Sequence, residues 1–132
     1  MTLAVDASLL VAALTDAGSL GAWAEGVLGR GGLVAPHLAP VETMNVLRRR
    51  ELAGQLDRLE AGTAARDLIL LDLELLPFAP FAARVWELRT NLRSYDAWYV
   101  AVAEAFDVPL ATLDHRLTKA PGPRCSFLLP PR

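Results

Sequence analysis

Short apolar runs alternate with longer stretches at helical spacing, and this alternation restricts the chain to few folds. The runs are "TLAVD" from residue 2, "LVAP" at 33–36, "LELLPF" from 73, "VPLATLD" at 108–114 and "CSFLL" from 125. Each has the length of a strand, and several end at an acid, a proline or another break. Between them lie "ASLLVAALTD", residues 19–30 closed by "GRGG", residues 38–53, residues 57–72, "PFAARVWELRTNL" and "SYDAWYVAVAEAF". Strands separated by helical segments pair in parallel, so the spacing predicts an α/β fold around a short, mostly parallel sheet. In the helix over 38–53, Val41, Met44, Leu47 and Leu52 are expected on the buried side. Ser94 is the expected N-cap of the last long helix.

The 132 residues suffice for one domain, 1–132, and 53% of them are apolar, so a packed core is expected rather than disorder. With one cysteine, Cys125, no internal disulfide forms, which reads as a reducing compartment. The N-terminal segment has no basic leader and is broken by Asp6, unlike a signal peptide. No window reaches the ~18–20 apolar residues of a membrane span. A soluble, cytoplasmic protein with no membrane partner is the expectation.

Four acids fall at four junctions. Asp6 ends the first apolar run, and Asp114 ends "VPLATLD". Glu42 lies in the first turns of the helix after the second run, and Asp96 opens the helix before the fourth. In an open parallel sheet, ligands bind beyond the carboxyl ends of the strands, and all four acids reach that edge. Taken singly, Asp6 and Asp114 read as helix N-caps and Glu42 as a first-turn acid favoured by the helix dipole. Asp96 resists that reading, because Tyr95, Trp98, Tyr99 and Val100 leave it little solvated surface. Carboxylates that converge raise one another's pKa unless a cation compensates. Hard oxygen donors of this kind suit Mg²⁺, with Mn²⁺ a possible substitute. His37 and His115 are not spaced as a pair and one cysteine makes no zinc site, so no rival metal set is offered. A carboxylate-held Mg²⁺ activates water for displacement at phosphorus, which points to phosphodiester hydrolysis.

"VDAS", "VETMNVLRR", "YDAWYVAVAE" and "ATLDHRL", in that order and across almost the whole chain, resemble the PIN-domain ribonucleases. The closest likeness is to VapC-type toxins of bacterial toxin–antitoxin modules. The resemblance implies a three-layer α/β/α sandwich, with Asp6, Glu42, Asp96 and Asp114 as catalytic, metal-binding acids. It implies cleavage of single-stranded or loop RNA (tRNA, rRNA or mRNA) by a metal-activated water, leaving a 5′-phosphate. Ser8, Asn45 and Thr112 match polar positions that support the family's pocket; local hydrogen bonding accounts for them equally well. Where some members carry a further acid after the last aspartate, His115 and Arg116 stand here, which weakens the case for a second metal. Glu104, on the Asp96 helix, reads as solvated or ion-paired. The resemblance also implies a homodimer and inhibition by a small VapB-like antitoxin, and Trp23 and Trp86 offer apolar surface for such contacts.

The formal charge of −2 speaks against a nucleic-acid partner until the acids are placed. Neutralising four site acids brings it to −2 + 4 = +2. Arg48, Arg49, Arg50, Arg89, Arg93 and Arg116 then offer a basic rim, with Arg93 the first candidate for an RNA phosphate and Arg116 beside it. "RRR" reads equally as a solvated helix face.

Other readings remain. A haloacid-dehalogenase-like enzyme wants an acid at position 8, where Ser8 stands. A receiver-like domain has only Lys119 for its lysine, and leaves Glu42 and Asp96 unexplained. A PIN-fold RNA-processing enzyme without toxicity, and a non-catalytic binding module, keep the fold with different roles.

Overall fold

From the N-terminus the elements are β1 (Thr2–Val5), α1 (Ala7–Thr15), α2 (Ser19–Leu28), β2 (Gly32–Pro36), α3 (Leu38–Leu52), α4 (Arg58–Leu70) and β3 (Leu73–Leu76). A 3-10 turn, Ala79–Phe81, leads into α5 (Ala82–Glu87), then α6 (Ser94–Phe106), β4 (Leu110–Ala111), α7 (His115–Lys119) and β5 (Phe127–Leu128). The computed structural model describes residues 2–132. The five strands form one sheet in the order β3-β2-β1-β4-β5, and every neighbouring pair is parallel.

Successive strand residues face opposite sides of a sheet. Leu3, Ala4 and Val5 of β1, Leu33 to Pro36 of β2, and both residues of β4 are buried, so the central strands are covered on both faces. That is the burial a parallel α/β sheet requires. One helical group is α1 with α2, α3 and α4; the other is α5 with α6, which lies along β1, β2 and β4. Apolar periodicity therefore yields the expected α/β/α sandwich. The edge strands β3 and β5 are only partly buried. Among the described residues no single helix is long and apolar enough to cross a membrane.

Helix α3 departs from expectation. Its buried stripe is Ala39, Thr43 and Leu47, whereas Val41, Met44 and Leu52 are 66%, 42% and 71% exposed. Only Leu47 of the expected face is in the core. A helix is oriented by the neighbours it packs against, and a close approach favours small residues over the larger apolar ones. Ser94 is likewise not the cap: Arg93 holds the extended cap position of α6, and Ser94 is the first helical residue.

The C-terminal segment is fastened by one cluster. Arg84 donates from Nε and Nη2 to the two carboxylate oxygens of Glu104 at 2.7 and 3.0 Å, and Nη2 also donates to the Gly122 carbonyl. The Arg124 N–H donates to Glu104 at 2.7 Å. Glu104 is thus ion-paired, with only 14% of its side chain exposed. Its carboxyl lies below the usual range, because these donors outweigh burial. Nearby Cys125 is a free thiol that burial pushes up to about 11, so it stays protonated at neutral pH. Replacing Glu104 by alanine leaves a mostly buried guanidinium with only the Gly122 carbonyl and the largely exposed Glu87 carboxylate, 3.7 Å away, as partners. It is expected to cost about 2 kcal/mol, less than a fully buried pair because some exposure remains. A lower urea midpoint at unchanged m-value is the readout; an unchanged midpoint contradicts the assignment.

Candidate active site

All four acids line one cleft of about 560 Å³ beyond the carboxyl ends of the strands, so the topology brings them together. The chain leaves β1 at Val5, and Asp6 follows at once as the N-cap of α1. Glu42 projects from the second turn of α3, which follows β2. Helix α6 runs back toward the start of β4, which sets Asp96 in its first turn at the opposite, carboxyl-end edge. Asp114 caps α7, its Oδ1 accepting from the Arg116 N–H at 3.0 Å. Capping and lining the cleft are therefore not alternatives; Asp6 and Asp114 do both.

Asp6 is the most enclosed of the four, 7% exposed. Its Oδ1 accepts from Ser8 Oγ at 2.6 Å and from the Leu9 N–H at 3.1 Å, and its Oδ2 accepts from the Thr112 hydroxyl. Ser8 Oγ in turn accepts from the Leu113 N–H, and Thr112 Oγ1 from the Asp114 N–H, both at 3.0 Å. Two hydroxyls thus lock the segment after β4 onto the carboxylate at the end of β1. Ser8 lines the cleft; Thr112, fully buried, lies behind it. Burial pushes the Asp6 carboxyl up to about 6; the hydrogen bonds oppose this and the charge on Glu42 adds to it. No cation lies within ion-pair distance of Asp6 among the described residues.

Asp96 is less enclosed than its apolar neighbours suggest, with 31% of its side chain exposed and Arg93 Nε at 3.7 Å. Burial still raises its pKa, helped by Asp114 and opposed by Arg93. Asp114 has its own arginine, Arg116, at 3.6 Å. Both arginines line the cleft, but each is engaged with a site acid. Asn45 is exposed and does not line the cleft. Arg89 stacks on Trp86 at 4.3 Å, away from it, and Arg48 faces a groove between α3 and α4.

One site residue escaped the sequence reading. Tyr99, buried on α6, donates its hydroxyl to Glu42 Oε1 at 3.0 Å. Burial and the Glu42 charge raise its pKa, so it remains a donor. The available signal was a phenol within an apolar helix face, whose hydroxyl needs a partner.

Among the described residues no three Asp, Glu, His or Cys side chains are gathered closely enough to hold a metal ion between them. The donor chemistry nevertheless fits a hard divalent cation. Four carboxylates line one cleft, and the most buried of them carries a charge that no side-chain cation offsets. Mg²⁺ retains several waters and needs only one or two direct carboxylates, so a partial shell suits it better than a cage.

A parallel α/β sandwich with acids gathered beyond its strand ends has the fold and the acidic edge of a PIN domain. The chain belongs to the PIN-domain family, whose model matches residues 3–123. Ribonuclease VapC1 of Mycobacterium tuberculosis is 39% identical over 126 residues, 95% of each chain. Among solved structures, the sarcin–ricin-loop-cleaving toxin VapC20 of M. tuberculosis superposes with a TM-score of 0.67 at 17% identity, covering 87% of this chain and 92% of its own. VapBC2 of Rickettsia felis, bound to a DNA fragment from its promoter, gives 0.64 at 18% identity and coverages of 92% and 94%. At those identities the likeness is one of fold.

Proposed function

We propose that the chain is a divalent-metal-dependent endoribonuclease acting as the toxin of a toxin–antitoxin pair. The observation that carries the reading is the conjunction of 39% identity to a VapC ribonuclease over 95% of the chain with four carboxylates in one cleft. Asp6, Glu42, Asp96 and Asp114 are the proposed metal-binding and catalytic acids. Bound there, Mg²⁺ or Mn²⁺ supplies Lewis-acid stabilisation at phosphorus and lowers the pKa of water. The chain's own groups set the stage. Ser8, Thr112 and the Leu9 N–H fix both oxygens of Asp6. Tyr99 holds Glu42 from the α6 side, and Arg93 and Arg116 limit the repulsion between Asp96 and Asp114.

A VapB-like antitoxin as inhibitor belongs to the same reading, supported by family membership and by the likeness to VapBC2. A homodimer does too, supported by the exposed apolar side chains of Val41, Leu52 and Trp86; light scattering measures it directly.

The test is cleavage of mixed tRNA and rRNA by antitoxin-free protein with Mg²⁺ or Mn²⁺, with EDTA, and with Asp96→Asn. Discrete products are expected with metal, none with EDTA, and a loss of roughly a hundredfold or more in the variant. Equal cleavage by wild type and variant removes the four-acid site. No cleavage by folded wild type removes the nuclease. Growth arrest on expression, relieved by the product of a small neighbouring reading frame, separates a toxin from an RNA-processing enzyme.

A further inference from the structure

The cleft is larger than its acids require. A divalent ion with a full shell of six waters occupies roughly 180 Å³, about a third of the volume. The remainder extends along α3 away from the acids, over Val11, Leu20 and Val46 to Arg49 and Arg50. Glu42, Val46 and Arg49 lie at i, i+4 and i+7 on that helix and so share a face. Seven residues of helix rise set Arg49 roughly 10 Å from Glu42, the reach of a neighbouring phosphate rather than the scissile one.

The four arginines of the cleft fall into two pairs. Arg93 and Arg116 each face a site acid at 3.7 and 3.6 Å. Arg49 and Arg50 have no carboxylate within ion-pair distance among the described residues. Arg50 is nonetheless oriented: its Nη1 donates to Thr15 Oγ1 at 3.2 Å, and that hydroxyl donates to the Val11 carbonyl at 2.7 Å. Asp16 also lines this end, but its Oδ1 is taken up by the Gly18 and Gly21 N–H groups at 2.7 and 3.3 Å. Two guanidiniums without carboxylate partners, one braced by a neutral hydroxyl, suit the forked geometry of a phosphate.

We propose that Arg49 and Arg50 form a subsite for an RNA backbone phosphate flanking the scissile bond. Val11, Leu20 and Val46 are the apolar floor over which the intervening nucleoside lies. This rests on the ribonuclease reading and moves the main phosphate contact from Arg93 and Arg116 to α3. A competing explanation is that basic residues in the last turn of α3 merely complement its dipole. Loss of the arginines would then lower stability and leave RNA binding alone.

Binding of a short fluorescein-labelled single-stranded RNA, followed by anisotropy across a salt series in the Asp96→Asn background, separates the two. Adding Arg49→Ala and Arg50→Ala together is expected to weaken binding by roughly a hundredfold. The slope of log K against log salt becomes shallower by about 0.7, one single-strand phosphate contact. Arg49→Lys with Arg50→Lys restores the slope and only part of the affinity, while Arg93→Ala changes both less than the double alanine variant. Affinity for Mn²⁺ alone, by calorimetry, stays as in the parent. If the double alanine variant does not fold, Arg49→Gln carries the same test, since that guanidinium makes no hydrogen bond among the described residues. Unchanged affinity and slope in a folded variant overturn the subsite while leaving the nuclease intact. A parent that binds no RNA overturns the subsite, and folded wild type that neither binds nor cleaves RNA overturns both.

Discussion

Replacing Asp6 by asparagine is expected to cut RNA cleavage by roughly a hundredfold or more and, in chelator at neutral pH, to raise the melting temperature. The two effects share one cause. Asp6 is 93% buried and has no cationic partner, and burial pushes its carboxyl up to about 6 from 3.8. Its folded pKa therefore lies above its unfolded one. Below about pH 4 the group is protonated in both states and costs nothing. Between about pH 4 and 6 the unfolded chain ionises while the folded group stays largely protonated, and the folded state loses on the order of 3 kcal/mol by the time both are ionised. Asparagine carries no charge to desolvate. Its oxygen keeps an acceptor for Leu9 or Ser8, and its amide donates to a hydroxyl lone pair. Melting curves from pH 4 to 8 in EDTA should fall for wild type across pH 4–6 relative to the variant. Above pH 6, saturating Mg²⁺ should recover wild type by mass action and leave the variant nearly unmoved. A variant that cleaves within tenfold of wild type, or a wild-type curve that rises against the variant over pH 4–6, would sink this account of Asp6.

The alternation of strands and helices and the common edge of the four acids were legible in the sequence for the same reason. In a parallel sheet, chain order fixes which residues leave the carboxyl ends of strands. Asp6 and Asp114 follow β1 and β4, and Glu42 lies in the second turn of the helix after β2, whatever the packing details. What depended on neighbours was not legible. Helix α3 carries large apolar residues on the face it leaves in solvent and the smaller Ala39 and Thr43 on the face it buries. Apolar spacing reports residue chemistry, not the partner helix. Asp96 looked enclosed from its sequence neighbours, yet on a helix adjacent residues point in different directions, and the enclosed acid is Asp6. Tyr99 reaches Glu42 across 57 positions, and Arg50 reaches Thr15 across 35. Such pairs, which decide which arginines keep free charge, follow from three-dimensional packing alone. Asn45, exposed away from the cleft, was placed by motif and not by geometry.

Two glycines of α2 are expected to respond in opposite senses to the same change. Glycine in a helix interior costs up to about 1 kcal/mol against alanine, so propensity alone favours alanine at both Gly21 and Gly26. At Gly26 nothing lies within 4 Å of an added Cβ, and Gly26→Ala should gain most of that amount. At Gly21 the Cβ would stand 1.8 Å from the Asp16 carbonyl oxygen, 2.7 Å from its carbon and 2.9 Å from its Cβ. Two of those atoms are backbone and cannot swing aside. Asp16 is held as the C-cap of α1 by a bond to Ala12, and its carboxylate binds the N–H groups of Gly18 and Gly21. Relieving the overlap means moving the first turn of α2 off the end of α1, at a cost of about 3 kcal/mol or more. The clash therefore outweighs propensity. Urea denaturation of the two single variants decides it, with midpoints expected above wild type for Gly26→Ala and well below for Gly21→Ala. Midpoints that move together would mean that the helices are not in such close contact. The displacement also reaches the cleft, since Asp16 and Leu20 line its arginine end. Gly21→Ala, in whatever fraction remains folded, should weaken RNA binding while leaving Mn²⁺ affinity at the distant acids near wild type.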